Sequence, residues 1–390
     1  MKSYDEINDK IRQGKAVVVT AEEIIELVRE KGYQKAAAEV DVVTTATFGP
    51  MCSSGAFLNF GHSDPPIRMS KVWLNNVPAY AGVAAVDAYL GATELSETQG
   101  FQYGGAHVIE DLISGKQVEL RAISYGTDCY PRKEILTYVT LNDLNQAYLF
   151  NPRNVYQNYA AAVNSSAKTI YTYMGTLLPN FGNVTYSTSG ELSPLLNDPY
   201  YRTIGIGTRI FLGGTVGYVA WEGTQHNPLQ KRAENGLPLS SAGTLALIGD
   251  LKGMSREFLR AALFDRYGVT MYVGVGIPIP ILDEEMLRFT AVTNRDIQTT
   301  IVDYSVAKRS KPDYGLVSYA ALRSGSIEIN GKTVPTAPLS SLHRARRIAA
   351  LLKEWVASGQ FTLTEPIQPL PLENKLHSLE IRQKEAAQDA

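Results

Sequence analysis

The chain has 390 residues, of which 44% are hydrophobic and 19% charged, and its 37 Lys and Arg against 39 Asp and Glu leave a net charge of −2. This is the composition of a soluble globular protein with a large core, not of a disordered or membrane chain. Near-neutral charge without a basic run excludes a nucleic-acid footprint, and no apolar stretch reaches the ~18 residues of a membrane span. The N-terminus has no apolar signal-peptide core, so the protein is expected in the cytoplasm, with small molecules or proteins as partners.

Helical and strand patterns alternate along the chain and predict a mixed α/β fold with mixed sheets of unspecified strand order. Residues 4–13 read as a helix and 16–19 as a short strand. Thr20 and Glu23 form a capping-box pattern that opens a helix reaching residue 39. The run DVVTTATF predicts a strand that delivers the chain into a loop with Gly49, Pro50 and Gly55. Residues 71–78 read as a strand, VAAVDAYLGA as a helix, HVIEDLISG as a helix stopped by Gly115, and QVELRAISYGTDC as a strand. Residues 142–238 are rich in Gly, Asn, Tyr and Thr and predict strands, turns and loops. Beyond Thr244, TLALIGD, SREFLRAALFDRY, VTMYVGVGIPIPI and DEEMLRFTA predict strand, helix, strand and helix in turn. SIEINGKTVP, with Asn330-Gly331 between alternating residues, predicts a hairpin, and residues 341–357 an amphipathic helix. No linker divides the chain. One large unit, with or without two subdomains, is expected over 1–370, followed by a polar tail over 371–390.

Only two cysteines occur, each beyond a predicted strand in a loop of small and polar residues: Cys52 in TFGPMCSSGAF and Cys129 in SYGTDCYPRKE. A thiol kept for packing lies inside an apolar element, so these two point to chemistry. Arg132 and Lys133 follow Cys129 and favour its thiolate, the reactive form. Asp128 opposes that and is expected to face away or to bind a substrate ammonium. Both cysteine loops are expected to converge on one cleft.

The other candidates each have a plainer alternative. Ser53, Ser54 and Gly55 offer hydroxyls and backbone N–H groups to an oxyanion or a carboxylate, or simply form a turn. His62 and His226 are candidate proton donors, or hydrogen-bonded loop histidines. Arg132, Arg209 and Arg295 are candidate carboxylate clamps, or ordinary ion pairs. Gly205, Gly207, Gly213, Gly214 and Gly217 alternate with apolar residues like a strand and lack the order of a dinucleotide fingerprint. The 22 tyrosines are scattered without basic interleaving and make no base-stacking platform. Cys52, Cys129, His62 and His226 supply soft ligands for zinc or iron, but no paired spacing supports a metal site and none is expected.

Four strings, TFGPMCSSGAFLNFGHSDPPIRM, SYGTDCYPRKE, GIGTRIFLGGTVGYVAWEGTQH and RFTAVTNRDIQTTIVDYS, resemble in this order the homocysteine-biosynthesis family, the L-aspartate semialdehyde sulfurtransferases of methanogens and other anaerobes. The resemblance runs from about residue 4 to about residue 370. It implies that L-aspartate semialdehyde, a sulfide source and two electrons become L-homocysteine and water, a step of methionine biosynthesis. By position it implies that Cys129 bears a persulfide and that Cys52 is the partner or resolving thiol. It also implies a separate ferredoxin-type iron–sulfur subunit as electron donor. A [4Fe–4S] cluster ordinarily takes four thiolates and only two exist here, so no cofactor is expected on this chain. Some members continue into CBS nucleotide-sensing modules, which are not expected here. A homo-oligomer is compatible with this reading.

A thiol pair suits that chemistry. The outer sulfur of a persulfide attacks the aldehyde carbon, a general acid assists loss of water, and a second thiolate releases the sulfur as an internal disulfide. That last step needs the two Cα atoms within about 7 Å. The competing class is a non-enzymatic carrier of metal or sulfide with Cys52 and Cys129 as ligands.

Overall fold

The apolar runs VVTTATFGP and GVTMYVGVGIPIP form the strands Val42–Pro50 and Gly268–Pro280, which pair antiparallel from Val42 opposite Pro280 to Pro50 opposite Tyr272. Both are buried at nearly every position, as strands covered on both faces are. In this computed structural model, which describes residues 1–382, they lie near one end of a large mixed sheet. Its order is Val18–Thr20, Val42–Pro50, Gly268–Pro280, Arg209–Leu212, Thr215–Glu222, Leu245–Asp250, Gln146–Asn154, Gly55–Asn59 and Asp87–Gly91. Leu259–Phe264 pairs with the first half of Gly268–Pro280.

This order has a geometric consequence. Val42–Pro50 and Gly55–Asn59 are joined by Met51–Ser54 alone, yet they lie six places apart in the sheet. In a flat sheet that is roughly 29 Å at ~4.8 Å per strand, whereas a link of this length spans at most about 19 Å. The sheet must therefore curl until its distant strands meet. The helix Gly105–Ile113 packs into the resulting seam, against Leu259–Phe264 and Gly268–Pro280 on one side and Gly55–Asn59 and Asp87–Gly91 on the other. Its Ala106, Val108, Ile109 and Leu112 join the apolar interior of the curl.

The outer face of the first strands is covered by Tyr4–Arg12, Glu23–Lys31, Tyr33–Glu39 and Leu342–Ala357, whose buried residues form a second core with Val42, Val43, Ala46 and Phe48. A third core lies under a six-stranded sheet in the order Asp313–Ser318, Gln298–Asp303, Ala161–Val163, Val184–Tyr186, Lys332–Pro338 and Ser326–Ile329. A smaller sheet holds Glu134–Val139, Val118–Ile123, Lys71–Leu74 and Val77–Ala79. Among the described residues no helix is long and apolar enough to cross a membrane.

The fold class is the expected mixture of helices and strands in several mixed sheets. The Asn330-Gly331 hairpin forms with both residues at positive φ (51° and 74°), and Gly213 and Gly214 turn the Arg209–Leu212/Thr215–Glu222 hairpin. The helix expected to reach residue 39 is broken at Gly32, whose φ is 77°. Residues 71–78 form a hairpin through Asn75 and Asn76, not one strand. Two expected helices are strands. In VAAVDAYLGA, residues Asp87–Gly91 pair with Gly55–Asn59 and bury Ala88 and Leu90. In SREFLRAALFDRY, residues Leu259–Phe264 pair with Gly268–Pro280, and Glu110 accepts the Ala261 N–H at 2.7 Å. Residues 371–382 carry no helix or strand, and 383–390 of the expected tail lie outside the described residues.

The seam leaves no room at Gly105, where a Cβ would meet the Gly91 carbonyl oxygen at 1.9 Å. Gly105→Val is expected to cost about 1–3 kcal/mol of stability or more through overpacking. Gly91→Ala, where a Cβ would meet nothing within 4 Å, is expected to cost far less. Urea unfolding of the two variants checks the difference.

Candidate functional site

The short Met51–Ser54 link is held by hydrogen bonds at every turn. Met51 N–H donates to Met271 O at 2.7 Å, and Ser54 N–H to Met51 O at 3.1 Å. The Ser54 hydroxyl donates to Met51 O at 2.8 Å and accepts from the buried Asn151 amide at 2.8 Å. The Ser53 hydroxyl lies 3.0 Å from Asn151 Oδ1 and 2.9 Å from Arg153 O. The link is thereby fastened to the strand Gln146–Asn154, where the register with Leu245–Asp250 slips: Asn151 faces Leu247 and Asn154 faces Leu245. One extra residue on one strand is a bulge, and bulges re-aim side chains.

Cys52 lies between these anchors on the wall of a cavity of about 700 Å³, a size that suits a small-molecule site. Its sulfur is 3.2 Å from the buried Thr270 hydroxyl. The same wall holds Arg153, Tyr156, Tyr159, Tyr173, Tyr267 and Tyr304, together with Gln225, Asn227, Gln230, Ser240 and Ser241. Arg309 and Lys311 also line the cavity, whereas among the described residues no Asp, Glu or His does.

The tyrosines form a connected set. The Tyr173 and Tyr304 hydroxyls are 3.2 Å apart, and Tyr156 meets Tyr159 edge to face at 4.9 Å between centroids. Burial pushes the Tyr267 phenol up to about 12, and the charge and hydrogen bond of the neighbouring Cys52 sulfur add to it. Burial likewise raises Tyr156 to about 12, with Arg153 pulling the other way and Cys52 pushing upward. Tyr159 and Tyr304 are raised further still by burial and by their neighbouring phenols. All four are protonated donors in neutral solution.

The family described as "Homocysteine biosynthesis enzyme, sulfur-incorporation" matches residues 16–363. The chain belongs to that family. Across 97% of its length it is 58% identical to an L-aspartate semialdehyde sulfurtransferase of Methanosarcina acetivorans, of which it covers 74%. Across 95% it is 54% identical to an L-aspartate semialdehyde sulfurtransferase of Methanocaldococcus jannaschii, of which it covers 73%. An uncharacterized protein of Methanothermobacter thermautotrophicus is 32% identical over 77% of this chain and 68% of its own. No solved structure matches.

In this member of the homocysteine-biosynthesis family the two thiols do not converge on one cleft, contrary to the expectation. Both are free. Cys129 is exposed in the turn Thr127–Tyr130, with its sulfur 3.5 Å from the Thr127 hydroxyl. Its hairpin is anchored to the segment after Gly55–Asn59: Arg132 pairs with Ile67 and donates to the carbonyls of Asp64 and Pro65. Cys52 precedes that same strand. The strand's length, roughly 14 Å at ~3.4 Å per residue, separates the two ends. Arg132 and His62 line a different cavity, of about 370 Å³, where His62 stacks on Tyr130.

Of the other residues singled out, Ser53 alone lines the cavity with Cys52. Ser54 is buried in the turn. Gly55 starts a strand where a Cβ would meet the Tyr89 hydroxyl at 2.3 Å and Leu90 O at 2.8 Å, so it serves close packing. Arg209 donates to the Thr362 hydroxyl at 3.1 Å and lies over the Phe361 ring. Arg295 is exposed. His226 is fully buried: its Nδ1 accepts Thr244 N–H at 3.1 Å, which leaves Nε2 to donate to Pro371 O at 3.0 Å. Among the described residues no group of three or more His, Cys, Asp or Glu is poised for a metal.

Sequence reasoning missed Arg153 and the tyrosines. Pro152 in the midst of a strand pattern signals a bulge, and Tyr267 lies in a stretch whose composition reads as helix. His226, by contrast, has no free ring nitrogen for chemistry. His226→Ala is expected to lower stability by about 1–3 kcal/mol for each buried backbone group left unpaired, read as a fall in Tm.

Proposed function

We propose that this chain is an L-aspartate semialdehyde sulfurtransferase in which Cys52, not Cys129, carries the sulfur. The observation that carries the reading is the Cys52 sulfur on the wall of a cavity rich in cations and phenols, with Cys129 outside it. The names of the Methanosarcina acetivorans and Methanocaldococcus jannaschii relatives supply the substrate. The carrier alternative needs both thiols in one ligand set, which the anchoring of the Cys129 hairpin opposes.

The sulfur reaches the aldehyde carbon as a nucleophile. If it arrives as sulfane sulfur, Cys52 holds it as a persulfide and the outer sulfur attacks. The carbon–sulfur bond forms, and the carbonyl oxygen becomes an alkoxide that a Tyr267 or Tyr156 phenol stabilises and protonates. Two electrons then cleave the sulfur–sulfur bond and return Cys52 as a thiol. Loss of water from the hydroxythiol gives a thioaldehyde, and two more electrons with two protons give L-homocysteine. If hydrosulfide attacks directly, only the last two electrons are needed. Two cysteines cannot hold a [4Fe–4S] cluster, so those electrons come from outside, from a ferredoxin-type iron–sulfur donor.

Intact mass with peptide mapping tests the carrier step. After anaerobic treatment with polysulfide, Cys52 is expected to gain about 32 Da, removable by cyanide. Cys52→Ser is expected to lose turnover by a factor on the order of 10³ or more, as removal of a covalent nucleophile does. Cys129→Ser is expected to retain most of it. A cyanide-labile sulfur on Cys129 alone, with activity lost only in its variant, overturns the assignment.

A further inference from the structure

Arg153 is the cation in the cavity wall whose side chain has no hydrogen-bond or ion-pair partner among the described residues, and its Nε is buried. The other two lining cations are engaged: Arg309 donates to the Ser378 hydroxyl at 2.7 Å, and Lys311 donates to Val306 O. Arg209 shares an unpartnered Nε, but its Nη1 donates to Thr362 and it lies away from the cavity. A buried charged donor left without an acceptor is costly, so its position needs a reason.

The backbone supplies one. The bulge at Pro152 and Arg153 inserts an extra residue into the strand opposite Leu245–Leu247, and three contacts fix it: Thr224 N–H to Pro152 O at 2.8 Å, Arg153 N–H to Asn151 Oδ1 at 3.0 Å, and the Ser53 hydroxyl to Arg153 O at 2.9 Å. The residue next to Cys52 is thus hydrogen-bonded to the residue that bears the free guanidinium. Anion site and sulfur are set by one rigid network.

We propose that Arg153 is the specificity-determining residue that clamps the α-carboxylate of the amino-acid aldehyde and so directs its aldehyde carbon toward Cys52. This deepens the sulfurtransferase reading and rests on it. Guanidinium presents two parallel N–H donors that match a carboxylate, and among the described residues no competing carboxylate lines the cavity. The clamp separates an amino acid from the corresponding amine: an aldehyde without the carboxylate leaves Arg153 unpaired.

Calorimetric titration tests the clamp apart from catalysis, with L-homoserine as a stable carboxylate-bearing probe and 3-amino-1-propanol as its counterpart without the carboxylate. Wild-type protein is expected to prefer L-homoserine. Arg153→Met is expected to weaken L-homoserine by roughly 10- to 100-fold and leave the counterpart unchanged, with Arg153→Lys in between. A parallel assay compares L-aspartate semialdehyde with 3-aminopropanal. There Arg153→Met is expected to raise KM for the former more than it lowers kcat, while Cys52 still takes up sulfur from polysulfide. Equal L-homoserine affinity in wild type and Arg153→Met, or none in wild type, overturns the clamp. Selective L-homoserine binding with no turnover of L-aspartate semialdehyde supports the clamp and sinks the sulfurtransferase reading.

Discussion

Four residues, Met51–Ser54, connect two strands that stand six places apart in one sheet, and the fold is organised around that constraint. A connection this short cannot cross a flat sheet, so the sheet curls, the Gly105–Ile113 helix fills the seam, and glycines stand where backbones touch. Gly104 and Gly105 approach the carbonyls of Glu94 and Gly91 more closely than any side chain would allow. The same constraint fixes Cys52. A thiol in a long loop samples many positions, whereas one in a link stretched between two sheet strands and bonded to Asn151 and Met271 has one. The rigidity of the site is a by-product of closing the sheet.

The cavity's electrostatics follow from what is missing among its lining residues as much as from what is present. With Arg153, Arg309 and Lys311 in the wall and no carboxylate among the described residues, it favours anions, such as the hydrosulfide and the substrate carboxylate of the proposed reaction. Histidine and carboxylate, the commonest proton donors, are replaced by phenols. A Tyr267 phenol raised to about 12 holds its proton in neutral solution. It is nevertheless a stronger acid than water at about 15.7, so transfer to a departing hydroxide runs downhill. Raised phenols also keep the wall uncharged, and the cations then act on the ligands instead of on each other's counter-ions.

How much of this was legible in the sequence depends on whether the signal was local. The long strands Val42–Pro50 and Gly268–Pro280, the first and last helices and the Asn-Gly hairpin carry their patterns within a few residues, and they formed as expected. VAAVDAYLGA and SREFLRAALFDRY failed because alanine, leucine and arginine favour helix only until tertiary pairing offers more. Their edges pair with Gly55–Asn59 and Gly268–Pro280, partners that no window of sequence contains. The cysteines stood out by type and setting. Their separation did not, because it depends on which end of Gly55–Asn59 each loop adjoins. Arg153 was invisible for a related reason: a register slip of one residue, Asn151 to Asn154 against Leu247 to Leu245, decides which way it points.

The histidine that composition offered as an acid and the tail it offered as loose turn out to explain each other. His226 is buried with Nε2 on Pro371 O, and Asn374 reaches back to His226 O at 3.3 Å, so the segment after Leu370 is drawn over the cavity. Leu376 lines it, and Ser378 receives Arg309. A polar segment without helix or strand therefore forms part of the rim, and the lining groups come from eight separate stretches of the sequence. Among the described residues this rim is held by few bonds: the His226 imidazole, the Asn374 amide and the Arg309 guanidinium. It can loosen without disturbing the three apolar cores, whereas the Cys52 link and the Arg153 bulge cannot. That division suits the proposed site, in which Cys52 and Arg153 stay fixed relative to one another while the rim opens to admit a ligand.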